Sequence, residues 1–175
     1  NFAGGGTDSD LTVGTGGITL NSTSGGATIG SATSGQKVNL ALAGAETWTN
    51  LSTTGVLTTS NNLSLNTYGL TLAGSGSFKF DGPVTGTGTL RKMGTGSLDL
   101  NGTDTFTGDK TVDRGTVFIG GNQSAATGGW LLRGYGDSGS AFNTVATTTT
   151  FEGTSTVSIA SGKTVQLGNN SANGG

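Results

Sequence analysis

The chain contains no cysteine and no histidine, and its one proline is Pro83. Without cysteine there is no disulfide framework, a composition that suits an exported chain passing unfolded through a membrane. Without histidine the commonest general base and the commonest transition-metal ligand are missing. Charged residues make up only 10% of the sequence and aromatic residues 6%. The 8 basic and 10 acidic residues leave a net charge of −2, with no basic patch for a nucleic acid partner. No apolar run reaches the roughly 20 residues that a membrane-spanning helix needs. No basic segment followed by an apolar core opens the chain. Asn1 stands where an initiator Met would, as expected of a processed chain or a piece of a longer one. Helix is disfavoured throughout, because the good helix formers do not cluster at helical spacing.

What is abundant is glycine, with threonine close behind and serine third; together the three make up almost half of the chain. Glycine and β-branched threonine are poor helix formers, and threonine favours strands. A flexible linker of this composition would lack regular apolar residues. Here they recur as apolar–x–apolar pairs, among them Ile18/Leu20, Val38/Leu40, Leu63/Leu65, Leu70/Leu72, Phe78/Phe80, Leu98/Leu100, Val117/Ile119 and Val165/Leu167. Such a pair puts two side chains on one face of a strand. The residues between the pairs are turn formers.

Strands with only two inward residues, at intervals of about seven to eleven, predict an all-β solenoid more readily than a sandwich or barrel. Three short sides make a coil of roughly 20 to 24 residues, and coils stack about 4.8 Å apart. The chain would then make roughly eight coils in a rod about 40 Å long. In this reading GTGTL (86–90) and GTGSL (94–98) are successive sides of one coil, each sending a leucine into a narrow core that neighbouring coils complete. The core-defining positions are Leu90, Leu98, Leu100, Phe106, Val112, Val117 and Ile119. Residues 1–175 are one solenoid domain. Residues 120–144 break the beat and predict either a loop excursion packed on the rod or an irregular coil with large core residues; they carry Trp130, Tyr135 and Phe142, the candidate contacts for a ligand or partner.

The stretch 86–117, GTGTLRKMGTGSLDLNGTDTFTGDKTVDRGTV, resembles the autotransporter-associated β-strand repeat. Leu90, Lys92, Gly94, Gly96, Leu98, Leu100, Gly102, Phe106, Thr107, Gly108, Thr111, Val112, Gly115 and Val117 fall on that family's pattern. Arg91 and Met93 depart from its usual small polar residues, and Val117 stands where leucine is commoner. The specific match is confined to this stretch. The resemblance implies a right-handed parallel β-helix, exported by a bacterium with an outer membrane and displayed outside the cell, where such repeats form the stalk of a passenger region. The membrane-embedded barrel common in that family has no counterpart in the sequence.

Other motifs carry less. GYGDSG (134–139) matches G-x-G-x-x-G, but no strand–helix unit surrounds it for dinucleotide binding. Its Ser138 has no histidine to activate it. Asp99, Asp104, Asp109 and Asp113 fall in one short stretch and invite a calcium reading, yet their spacing predicts solvated turn residues facing different sides. Thr-x-Thr stretches at 85–89 and 103–107 are too clustered for an aligned ice-binding row. Six Asn-x-Ser/Thr sequons, including Asn21, Asn62 and Asn101, are close to the number expected by chance. Neither cofactor nor metal site is expected, and no enzymatic activity.

The sequence thus predicts a structural, extracellular or cell-surface β-helix segment acting as stalk, adhesin body or fibre subunit. The alternative is a carbohydrate-binding or carbohydrate-cleaving β-helix using the aromatics of 120–144, since aromatic faces stack on sugar rings. Expected partners are further copies of the chain or adjacent coils of a longer one, and host or matrix glycans. Neither NFAGGGTDSD at the start nor NNSANGG at the close reads as a solenoid cap, so end-to-end stacking into filaments is expected.

Overall fold

The computed structural model describes residues 8–33 and 35–132, with the backbone of two further strands at 148–151 and 165–166. These residues form seventeen strands and no helix. The first coil is β1 (Ser9–Val13), β2 (Thr19–Leu20) and β3 (Ala27–Ile29). The second is β4 (Val38–Leu42), β5 (Glu46–Asn50) and β6 (Val56–Thr59). The third is β7 (Leu63–Ser64), β8 (Leu70–Ala73) and β9 (Ser77–Phe80), and the fourth is β10 (Val84–Thr85), β11 (Leu90–Lys92) and β12 (Ser97–Leu100). Beyond them β13 (Lys110–Val112) and β14 (Thr116–Ile119), then β15 (Trp130–Leu132) and β16 (Thr148–Phe151), and last β17 (Val165–Gln166) continue two of the three sides.

Strands from successive coils hydrogen-bond into three sheets. Their orders are β1-β4-β7-β10, β2-β5-β8-β11-β13-β15-β17 and β3-β6-β9-β12-β14-β16. Every pairing is parallel. The chain is a three-sided β-solenoid. Leu90 lies on β11 and Leu98 on β12, so GTGTL and GTGSL are successive sides of one coil.

Leu70, Leu90, Lys110 and Trp130 form one register column at an even spacing in sequence. Earlier in the same sheet the step from Glu46 to Leu70 is longer. The first coil is longer again, since Ser9 pairs with Val38 and Ala27 with Leu57. Another long step joins Thr116 to Thr148. These long steps correct the expected number of coils, roughly eight on even spacing. Four coils place a strand on all three sides, and the longest sheet has seven strands, a length of about 29 Å at about 4.8 Å per step.

The core follows from strand alternation. On β12 the pattern is outward Ser97 and Asp99 against inward Leu98 and Leu100, and β9 and β14 repeat it. Leu98 stacks between Phe78 and Val117, and Leu100 between Phe80 and Ile119. Leu90, Leu98, Leu100, Phe106, Val112, Val117 and Ile119 are all buried. Each is worth about 1.5–3 kcal/mol of transfer free energy. Trp48 meets Phe80 edge-to-face across the core, centroids 6.1 Å apart, the arrangement that ring quadrupoles favour.

Glycine is required at one corner in particular. Gly88, Gly108 and Gly128 stack one above another, and a Cβ on each would overlap the carbonyl oxygen of the residue one coil earlier: Tyr68, Gly88 and Gly108. The corner closes only because those hydrogens leave room for the neighbouring backbone.

Candidate functional site

The aromatic residues expected to meet a ligand are not brought together among the described residues. Trp130 opens β15, stacked on Lys110 in the second sheet, and is 8% exposed. Its ring is core rather than a platform for a sugar. Tyr135 and Phe142 lie outside the described residues. The expected excursion at 120–144 is described only to Leu132. To that point the chain keeps the coil: Asp104 N–H donates to the Asn122 carbonyl at 2.9 Å, and Lys110 N–H to that of Gly129 at 2.8 Å.

The four aspartates separate by environment, which corrects the expectation that all are solvated. Asp109 is exposed and accepts the Gly129 N–H at 2.9 Å. Asp99 is half-buried on β12. Asp104 and Asp113 are buried. Asp113 is held by Arg91, Nε to Oδ2 2.6 Å, while Asp104 points into the core. Among the described residues no group of three or more His, Cys, Asp or Glu could hold a metal ion.

The notable chemistry lies inside the rod. Lys92 and Lys110 are each 1% exposed. Lys92 stands between Leu72 and Val112 in its column, and Lys110 between Leu90 and Trp130. The Lys110 ammonium donates to the carbonyls of Gly108, Ala126 and Gly128 at 3.2, 3.3 and 3.5 Å. It also lies 4.1 Å from the centre of the Phe106 ring, a cation–π contact. Lys92 Nζ donates to the Gly94 carbonyl. Burial lowers its pKa to about 8, because removing water penalises the charged form.

Asp104 Oδ1 accepts the Val84 N–H at 2.7 Å, and its Oδ2 is 2.6 Å from Gln123 Nε2. Burial pushes its carboxyl up to about 6, against the opposing pull of the Val84 N–H, the Gln123 amide and the Lys110 ammonium. At the other end of the core Glu46 Oε2 accepts the Trp48 indole N–H at 2.8 Å. Burial raises the Glu46 carboxyl above its ordinary range, and that hydrogen bond opposes the rise.

Sequence reasoning missed these buried polar residues, although the beat held the signal. Leu70-x-Leu72 becomes Leu90-x-Lys92, then Lys110-x-Val112. Each lysine occupies an inward position of the apolar–x–apolar pair, as Glu46 does before Trp48.

On the outside, a shallow groove of about 380 Å³ crosses four coils beside the second sheet, lined among others by Thr15, Thr47, Thr71, Thr89 and Arg91. It presents hydroxyls, and its one carboxylate residue is Glu46. Glycoside hydrolysis ordinarily needs a pair of carboxyls flanking the bond. Comparison with protein-family models, curated proteins and solved structures finds no match.

Proposed function

We propose that this chain is a structural rod of an exported, cell-surface protein, serving as stalk, adhesin body or fibre subunit. The observation that carries the reading is the continuity of the stack. One unbroken core runs from Leu20 to Trp130. Lys92, Lys110 and Asp104 turn into it to bond backbone groups and a buried amide instead of lining a cleft. Lys110 and Asp104 link adjacent coils in this way, and Lys92 ties down a corner of its own coil. They are not poised to meet a substrate.

The repeat-like stretch 86–117 supports placing such a rod in the passenger region of an outer-membrane bacterium, with further coils or further copies of the chain as its partners. Surface labelling and proteolysis of intact cells expressing the full protein test the reading. The expected result is antibody labelling without permeabilisation, and release of a protease-resistant rod. Labelling only after permeabilisation would contradict it.

A further inference from the structure

The groove beside the second sheet follows the rod axis. Its lining comes from four successive coils: Thr15, then Thr47, then Thr71, then Thr89 with Arg91. Thr47, Thr71 and Arg91 form one outward column in register, each about 4.8 Å from the next. Gly69 also lines the groove. A Cβ there would come within 3.0 Å of the Thr89 hydroxyl oxygen, so glycine keeps that hydroxyl accessible.

The polar groups of this face are uncommitted. On the first side Thr85 Oγ1 donates to the Asn62 side-chain oxygen and Thr87 Oγ1 to the Asn66 carbonyl. In the groove the hydroxyls of Thr47, Thr71 and Thr89 make no hydrogen bond among the described residues. One cation stands among them. The Arg91 side chain is 46% exposed, and its Nε is fixed by Asp113, whose side chain is 4% exposed. The two terminal nitrogens of Arg91 have no partner among the described residues. A guanidinium held in this way loses little freedom on meeting an anion, and its open fork matches a carboxylate. The nearby carboxyls are engaged elsewhere. Glu46 is bonded to the Trp48 indole in the core. Asp109, one coil beyond Thr89, accepts the Gly129 N–H.

We propose that the groove binds a carboxylate-bearing polysaccharide strand laid along the rod axis, Arg91 clasping a uronate carboxylate while Thr47 and Thr71 bond sugar hydroxyls on the two coils before it. The spacing favours a sugar chain. A pyranose in an extended chain advances by nearly one coil step, about 4.8 Å, so successive sugars meet successive coils. An extended peptide returns to one face every second residue, about 6.6 Å, and falls out of phase. The floor strands β5, β8 and β11 are each paired on both sides, leaving no edge for a peptide strand to join. Four coils span about 14 Å, room for a few sugars. A rod that binds no glycan is still a rod, so the structural role stands or falls separately.

Amide NMR of the ¹⁵N-labelled full chain, titrated with a galacturonate hexasaccharide, tests the groove. Shifts should concentrate on Thr47, Thr71, Thr89 and Arg91. The methyl-esterified hexasaccharide, the same chain without its charge, should bind roughly tenfold more weakly. Arg91→Lys keeps the charge beside Asp113, loses the fork and should weaken binding of the acid by a similar factor. The ester comparison uses the wild type and holds whatever the folding of that variant. Thr71→Val suits a strand and should weaken binding severalfold, whereas Thr58→Val on the third sheet should leave it unchanged. Added salt should weaken binding of the acid but not of the ester. No shifts in the groove, equal affinity for acid and ester, or a polyglutamate chain binding as tightly as the sugar would overturn the proposal.

Discussion

The Lys110 ammonium lies 4.1 Å above the Phe106 ring while reaching three backbone carbonyls of its own and the following coil. A buried cation is tolerated when its donors are matched and its charge faces a π-surface. Lys110→Met keeps the volume and removes the donor, leaving those carbonyls short of a partner. The expected cost is about 1–3 kcal/mol, read from chemical denaturation. An unchanged midpoint would mean that these contacts hold nothing.

Lys92 behaves differently, because it has one carbonyl partner and a depressed pKa. Its unfolded counterpart binds the proton more tightly, so the wild type should gain stability as pH rises from about 8 to about 10.5, by about 3 kcal/mol at most. Lys92→Met should be at least as stable at neutral pH and should lack that alkaline gain. A destabilised variant, or a wild type whose alkaline profile matches it, would refute the assignment.

Leu98 and Leu100 each stack between two large apolar residues of adjacent coils. Leu98→Ala and Leu100→Ala should each cost about 2–5 kcal/mol. Thermal melts that leave both midpoints in place would rule out their packing as described.

Gly108 has Gly88 one coil before it and Gly128 one coil after. Gly108→Ala should cost at least about 2 kcal/mol, since the clashing atom is backbone and cannot rotate aside. Gly14, around which an added Cβ meets nothing within 4 Å, supplies the control: Gly14→Ala should fall within about 0.5 kcal/mol of the wild type. Equal effects would disconnect the corner glycines from coil stacking.

Much of this architecture is legible in the residues alone. Two-residue apolar pairs separated by turn formers allow little except short strands, and their recurrence requires a stack. The number of coils is less legible. The beat does not distinguish the short corner between β6 and β7 from the long one between β3 and β4. Lys92, Lys110 and Asp104 escape the pattern for a physical reason. A charged residue reads as solvated unless a partner is visible, and the partners here are backbone carbonyls, an aromatic face and an amide one coil away. Ala126, Gly128 and Gln123 are distant in sequence from the groups they meet. Trp130 and Leu132 read as one more apolar–x–apolar pair, although the Gly-rich stretch around them breaks the beat, and Trp130 occupies the position of Leu70 and Leu90.

The absence of cysteine makes the coil register directly measurable. Thr47 and Thr71 face outward on adjacent strands of the second sheet and are paired in register. Their Cα atoms are therefore about 4.8 Å apart, within the roughly 4.4–6.8 Å that a disulfide spans. Thr71 and Thr111 occupy the same column two coils apart, at about twice that separation. Oxidation of Thr47→Cys/Thr71→Cys should form an intramolecular disulfide readily without loss of folded structure, whereas Thr71→Cys/Thr111→Cys should remain reduced. A disulfide in the second pair but not the first would contradict the stacked coils on which the whole account rests.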